Sequence, residues 1–360
     1  MLHRSTLKKP DGRALHLYSR EPIPEGIEAT APKSDGARGN PHLRWHPLRG
    51  EWVVYAAHRQ NRTFLPPKDF SPLAETKSPD FPTEMPAGAY EMAVFENLFP
   101  SLLASAEGAP PLEVPTAPAK GTCEVVVFSK EPEGSLGTLS LDRVEMVLEI
   151  WAERTKALAD AGCHYVLPFE NRGVEMGVTL HHPHGQIYGY PFLPPVPKIQ
   201  FENSSRYHAR TGKVLLEEML ISERKDGQRL VRDEGNALAF VPVCARYPYE
   251  TWVAPTRAVG TLAELDKEER RGLARALKGA LLQLDGLWDR PMPYLLVLYQ
   301  APSDGIAYPG SHLHFEIYPP YRTKDKLKFL AGTELGAGVF INDSLPEEKA
   351  AELRAVKVEL

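Results

Sequence analysis

Short runs of β-branched and aromatic residues alternate along the chain with two long segments whose apolar positions recur every three to four residues. "EWVVYAA" (51–57), "CEVVVFS" (123–129) and "HYVLPFEN" (164–171) have the composition of strands. Between the last two lies "SLDRVEMVLEIWAERTKALADAG" (140–162). Ser140 stands where a helix N-cap would, Val144, Val147, Leu148, Trp151 and Leu158 fall on one face, and Gly162 ends the segment. The order recurs further on. "ALAFVPV" and "ETWVAPT" read as strands, and Asp266 with Glu269 has the spacing of a capping box. A helix with Leu273, Leu277, Leu281 and Leu284 on one side follows, then the strand "PYLLVLYQ". "GTLSLDRVEMVL" and "GTLAELDKEERRGL" open the two helices alike. The pattern predicts an α+β chain built from a duplicated strand–helix–strand–strand unit. Residues 1–40 are polar, carry Gly and Pro, show no sustained period and read as an N-terminal tail. Residues 41–200 and 201–360 then read as the two repeated domains.

Composition narrows the class of protein. A chain of 360 residues with 42% hydrophobic and 25% charged residues can bury a large core. No apolar run approaches the length of a membrane span, and the N-terminal segment lacks the apolar stretch of a secretory signal. The three cysteines, Cys123, Cys163 and Cys244, lie far apart, which suits neither a disulfide framework nor a zinc knuckle, so the cytoplasm is the expected compartment. A net charge of −5 without any basic run argues against a nucleic-acid partner. The 34 prolines gather in 65–120 and 191–197, which read as ordered but irregular connections.

Candidate chemistry concentrates in "HHPHGQIYGY" (181–190), flanked by strand-like "MGVTL" and "IYGYPF". On a continuous strand His182, His184 and Gln186 would share one face and His181 the other. Pro183 suits a strand end or bulge, and Gly185 leaves room for something to approach the backbone. The group fits hydrogen-bonded structural histidines, a His-x-His metal site, or a nucleophilic imidazole with an amide to hold a phosphoryl group. His312 and His314 repeat the same spacing in the second half.

"FENRGVEMGVTLHHPHGQIYGYPF" resembles the active-site segment of the galactose-1-phosphate uridylyltransferases, members of the histidine-triad superfamily. "HPLRGEWVVYAAHRQNR", "VFENLF", "PYETWVAP", "LHFEIYPP" and "KFLAGTE" extend the resemblance over residues 42–345. It implies two tandem histidine-triad-like domains, each an antiparallel half-barrel sheet with packed helices, in a homodimer. It also implies ping-pong transfer of UMP between UDP-glucose and a hexose-1-phosphate, galactose-1-phosphate. By resemblance His184 is the nucleophile, Gln186 donates to a non-bridging oxygen, and His182 completes the catalytic set. Arg59 and Arg62 clamp phosphates from the neighbouring subunit. Asn171, Gly177 and Thr179 contact the nucleotide phosphates, Asn97 and Phe99 surround the uridine, and Lys328, Phe329 and Glu334 lie on the hexose side. A neutral imidazole is a good nucleophile for phosphorus, and a phosphate leaving group needs no strong general acid.

Two departures from the family pattern stand out. Metal-binding members carry a Cys-x-x-Cys pair where this chain has Ser71 and Ala74 in "DFSPLAET", and a third ligand near Pro132, leaving His182 alone of that set. The family zinc site is therefore expected to be lost, with no certain cofactor. At the second metal position of some relatives this chain has Gln200, Tyr299 and Glu316 beside His314, and His312, His314 and Glu316 could form a different metal site only with ligands from elsewhere. The family's Asn-Asp-Phe near the ribose reads Asn97-Leu98-Phe99, which removes a carboxylate from the nucleotide side. That leaves an ADP-sugar phosphorylase or a dinucleoside-polyphosphate phosphorylase as the competing enzyme. A non-catalytic nucleotide-binding protein would need a broken nucleophile motif.

Overall fold

The computed structural model describes residues 1–33, 39–61 and 70–360. Its strands, in chain order, are β1 (His3–Lys8), β2 (Ala14–Ser19), β3 (His42–His46), β4 (Glu51–Tyr55), β5 (Met92–Glu96), β6 (Thr116–Pro118), β7 (Thr122–Val127), β8 (Tyr165–Arg172) and β9 (His184–Tyr190). They continue with β10 (Leu230–Asp233), β11 (Ala237–Phe240), β12 (Thr251–Pro255), β13 (Tyr294–Tyr299), β14 (His314–Tyr318), β15 (Tyr321–Thr323) and β16 (Lys326–Leu327). The helices are α1 (Leu141–Asp160), α2 (Pro195–Thr211), α3 (Leu215–Asp226), α4 (Lys267–Gly286) and α5 (Pro346–Ala355).

The repeated unit is present, and the two copies share one sheet. Among the described residues, eleven strands pair in the order β1-β2-β5-β7-β9-β8-β13-β14-β12-β11-β10, every pair antiparallel. β8 and β13, the equivalent strands of the two halves, join at the centre with Asn171 opposite Leu295 and Phe169 opposite Val297. α1 and α4 lie side by side beneath that seam. Both predicted caps form: the Ser140 side chain accepts from the Arg143 N–H, and Asp266 with Glu269 closes a capping box. The predicted stripes of both helices are buried in a single core that also takes in Ile187 of β9 and Phe315 of β14. Trp151 of α1 ties the halves together, with its ring 6.1 Å from both Phe128 and Phe315.

The first 40 residues are not a tail. β1 and β2 form a hairpin whose second strand pairs with β5, and Leu15, Leu17 and Tyr18 are fully buried. The buried Arg13 and Lys9 side chains both bond Glu84, at 2.8 and 2.6 Å, and so fasten the hairpin to the 70–90 segment. The proline-rich 191–197 stretch is not wholly irregular either. α2 starts at Pro195, because proline in a first helical turn lacks only an N–H that would have no intrahelical partner.

The sheet face opposite α1 and α4 is covered at both ends. The 70–90 segment packs on Val125 and Val127, β3, β4 and β6 pack near Tyr188 and Tyr190, and α3 packs on β11 and β12. The middle of that face carries the His strand.

Candidate active site

β9 alternates strictly. His184, Gln186, Tyr188 and Tyr190 face the open side half-buried, while Gly185, Ile187 and Gly189 face the helices. The glycines serve packing: a Cβ on Gly185 would stand 2.7 Å from the Phe128 ring, and one on Gly189 2.5 Å from the Cys163 sulfur. What approaches Gly185 is therefore the core and not a ligand.

The strand begins at His184, which corrects the expectation of two imidazoles on one face. His182 precedes β9 and is 2% exposed. Its Nε2 donates to the Ser129 carbonyl at 2.7 Å, and Ser71 Oγ lies 3.1 Å from its Nδ1. Burial pushes its pKa down to about 4 against the opposing pull of the Ser129 carbonyl, so the ring is neutral at physiological pH.

His184 donates from Nδ1 to the carbonyl of His182 at 2.7 Å. A carbonyl can only accept, so the proton sits on Nδ1 and the lone pair on Nε2. Burial also lowers the pKa of His184, keeping that lone pair unprotonated. Nε2 has no hydrogen-bond partner among the described residues. Gln186 stands two residues along the same face, about 6.6 Å away in strand rise. This is a neutral imidazole with one nitrogen tethered and the other presented, and an amide beside it.

The other predicted residues fall into groups. Phe169 of β8 packs edge-on to Tyr188 at 5.1 Å, which fixes the open face of β8, and Asn171 is the next position on that face toward His184. Gly177 and Thr179 lie in the loop from β8 to β9. Gly177 adopts φ +73 in a turn with open space around its Cα, where any other residue would be strained. Asn97 and Phe99 come together at the Tyr188 end. The Asn97 backbone N–H bonds the Cys123 carbonyl, and its side chain accepts the Phe99 N–H at 2.8 Å. Arg59 joins them, donating to the Phe99 carbonyl of its own chain at 2.6 Å. Arg62 lies outside the described residues. Lys328 and Glu334 form an ion pair at 3.2 Å, and Phe329 is 79% exposed. This last group is packed through Phe340 onto Tyr247 and Arg246, and no hydrogen bond or ion pair among the described residues joins it to the His184 group.

The second His-x-His strand is built differently at its tip. His312 Nε2 donates to the Pro255 carbonyl at 2.9 Å, and His314 Nδ1 meets the His312 carbonyl at 3.2 Å. His314 Nε2, however, faces Glu316 at 3.0 Å, and the ring stacks on Tyr299. Glu316 also receives Gln200 at 2.8 Å, Arg246 at 3.2 Å and the Tyr318 hydroxyl. Burial would raise its pKa, but His314, Tyr318 and the Arg246 guanidinium together hold it below the usual carboxylate range. Sequence reasoning named Gln200 as a former ligand position and Glu316 both as one and as part of a different metal site with His312 and His314, and it missed Arg246, Ser129 and the hydrogen-bonding role of Ser71. One arginine among many carries no periodic or motif signal.

Ser71 and both ring nitrogens of His182 are engaged in hydrogen bonds, Ala74 and Pro132 have no donor atom, and both Glu316 oxygens are taken. Among the described residues no group of three His, Cys, Asp or Glu side chains is placed to hold an ion.

Both halves of the chain match known proteins. Residues 32–194 match the N-terminal domain model of galactose-1-phosphate uridyl transferase, and 200–360 match its C-terminal domain model. The galactose-1-phosphate uridylyltransferase of Thermotoga maritima is 36% identical over 88% of this chain and 99% of its own. That of Streptomyces lividans is 32% identical over 98% and 97%. A solved uridylyltransferase structure superposes with a TM-score of 0.78 at 34% identity, covering 87% of this chain and 97% of that one. An Arabidopsis thaliana ADP-glucose phosphorylase shares the fold at 23% identity and a TM-score of 0.68. With residues 32–194 and 200–360 matched by the two domain models and His184 and Gln186 on the open face of the shared sheet, the chain belongs to the galactose-1-phosphate uridylyltransferase family.

Proposed function

We propose that this protein transfers UMP between UDP-glucose and galactose-1-phosphate, with His184 as the covalent carrier. The observation that supports this most directly is the tether of His184 Nδ1 to the His182 carbonyl, which leaves Nε2 with its lone pair on the open face. In the first half-reaction that lone pair attacks the α-phosphorus of UDP-glucose. A P–N bond forms, and the P–O bond to glucose-1-phosphate breaks, its electrons leaving with a phosphate that is already a weak base. Galactose-1-phosphate then attacks the same phosphorus, and Nε2 recovers its lone pair. Gln186 donates an N–H to a non-bridging oxygen as charge develops there. Asn171, Gly177 and Thr179 hold the diphosphate, Asn97 and Phe99 the uridine, and Lys328, Phe329 and Glu334 the hexose phosphate. His182 acts through its carbonyl.

The protein works as a cytoplasmic homodimer in this reading, with Arg59 and Arg62 serving as phosphate clamps for the partner's site. That no helix among the described residues is long and apolar enough to cross a membrane accords with it. This reading assigns no step to a metal, since Ser71, Ala74 and Pro132 stand where metal-binding relatives place zinc ligands.

Leu98 favours a second reading, an ADP-sugar phosphorylase, since the carboxylate expected beside the ribose is missing. Intact-mass spectrometry after incubation with UDP-glucose, and separately with ADP-glucose, decides between them. We expect a UMP adduct from the first and none from the second. An AMP adduct alone would transfer the assignment to the phosphorylase.

A further inference from the structure

We propose that Ser71 is a positioning residue for the nucleophile: its hydroxyl fixes the His182 ring, and through it the carbonyl that holds His184 with Nε2 unprotonated. The inference rests on the reading of His184 as the covalent carrier.

His182 Nε2 must carry a proton, because it donates to the Ser129 carbonyl at 2.7 Å. In the neutral ring Nδ1 is then an acceptor, and Ser71 Oγ lies 3.1 Å from it. Ser71 Oγ already accepts the Leu73 N–H at 3.2 Å, so its own proton is free to point at Nδ1. Both ring nitrogens are thus satisfied in a site 2% exposed, where an unmet acceptor would be costly. The next peptide is fastened as well, its Pro183 carbonyl accepting the Phe128 N–H at 3.2 Å. The His182 carbonyl is thereby held against the strand that follows, and His184 Nδ1 meets it at 2.7 Å.

The second half of the molecule supplies the contrast. His312 makes the same Nε2 bond to a backbone carbonyl, but its Nδ1 is buried without a partner. There the bond from the second histidine to the first histidine's carbonyl lengthens to 3.2 Å. The hydroxyl is present in the half that presents a free Nε2, and absent in the half that does not.

The test compares Ser71→Ala and Ser71→Thr with wild type, in the full-length protein, by rapid-quench labelling with UDP-glucose radiolabelled in the α-phosphate. Ser71→Ala is expected to slow labelling by about tenfold, with the UDP-glucose concentration at half-saturation unchanged. Ser71→Thr, which keeps the hydroxyl, is expected to restore most of the rate. Two-bond 1H–15N correlation of histidine-labelled protein should show His184 shifting from the Nδ1–H tautomer toward a mixture in Ser71→Ala only. Labelling of Ser71→Ala at the wild-type rate, or equal slowing in Ser71→Thr with an unchanged tautomer, would overturn the proposal. If Ser71→Ala fails to fold, the Ser71→Thr rate and tautomer decide alone, wild-type values supporting it and a displaced tautomer with an intact hydroxyl overturning it. A His184→Ala control separates the two readings: adduct formed without His184 would remove the nucleophile assignment whatever Ser71 does.

Discussion

At His184 the Nδ1–H reaches the His182 carbonyl at 2.7 Å and Nε2 faces the open side of the sheet; at His314 the corresponding bond is 3.2 Å and Nε2 faces Glu316 at 3.0 Å. The two strands are repeats of one unit, with the same histidine spacing, and each follows the strand of its half that lies at the central seam. Besides Ser71, which has no counterpart at His312 among the described residues, the residue two places on separates them. Gln186 is a neutral amide with protons to donate, whereas Glu316 is a carboxylate that captures the imidazole next to it. Glu316 in turn gathers Gln200, Arg246 and Tyr318, so the second half closes into a hydrogen-bonded plug. A nitrogen turned to a carboxylate has no lone pair for phosphorus. Duplication thus preserved the frame, while the side chains around it left one imidazole nitrogen open and paired the other with a carboxylate.

The largest effect should come from exchanging the two histidines' fates. His184→Ala is expected to reduce UMP transfer by at least about 10³-fold with its far-UV circular dichroism unchanged, while His314→Asn stays within about tenfold of wild type. Comparable losses in both would mean that the second strand also takes part in chemistry. Next comes assembly. Arg59 bonds its own Phe99 carbonyl in the single chain, so a role across a dimer has to be shown by mixing. Inactive His184→Ala and inactive Arg59→Ala/Arg62→Ala subunits, once exchanged, should recover roughly a quarter of wild-type specific activity, since half of random dimers are mixed and each holds one complete site. Activity no higher than the parents, with exchange proven by gel filtration of tagged subunits, would confine the arginines to their own chain.

Stability sharpens the contrast from the other side. Glu316→Gln removes the charge at the centre of the second cluster and leaves Arg246 facing an amide. Because Arg246 keeps about a third of its side chain in solvent, the expected cost is about 2 kcal/mol and not the full penalty of a buried pair. Urea unfolding reads it, with the transfer rate little altered. The pH dependence is shared by the halves. His182 and His312 have folded pKa values near 4, below the ~6.5 of a free imidazole. Between those values the unfolded chain binds protons that the folded chain refuses, so stability falls as pH drops from about 6.5 to about 4. The lowered pKa of His184 likewise places the acid limb of kcat/KM below 6.5. An acid limb at or above that value would mean that protonation of His184 does not govern it. The smallest signal is a null: elemental analysis of protein purified without a metal-affinity step should find well under one zinc per chain, and a stoichiometric zinc would contradict the hydrogen-bonded reading of both clusters.

The amphipathic stripes of α1 and α4, their caps and the central strands were all legible along the chain, because each obeys a local period or a local hydrogen-bond rule. The family resemblance was carried by contiguous motifs, so the identity of the chemistry was legible too. The N-terminal hairpin was not. β1 alternates over only six residues, and the burial of β2 depends on pairing with β5 some 75 positions away. α2 was hidden by the prolines that open it.

The sequence by itself determined which residues could do chemistry, and that the unit carrying them occurs twice. Only the tertiary structure decided which imidazole is free. His182 left the face it shares with His184 on an ideal strand because Ser71 and Ser129 draw its ring into the core. The fates of His184 and His314 depend on Ser71, Gln200 and Arg246, which lie tens to more than a hundred residues from the histidines they serve. Hydrogen-bond donors and acceptors act through space over about 3 Å, whatever their separation along the chain, so no local pattern records them.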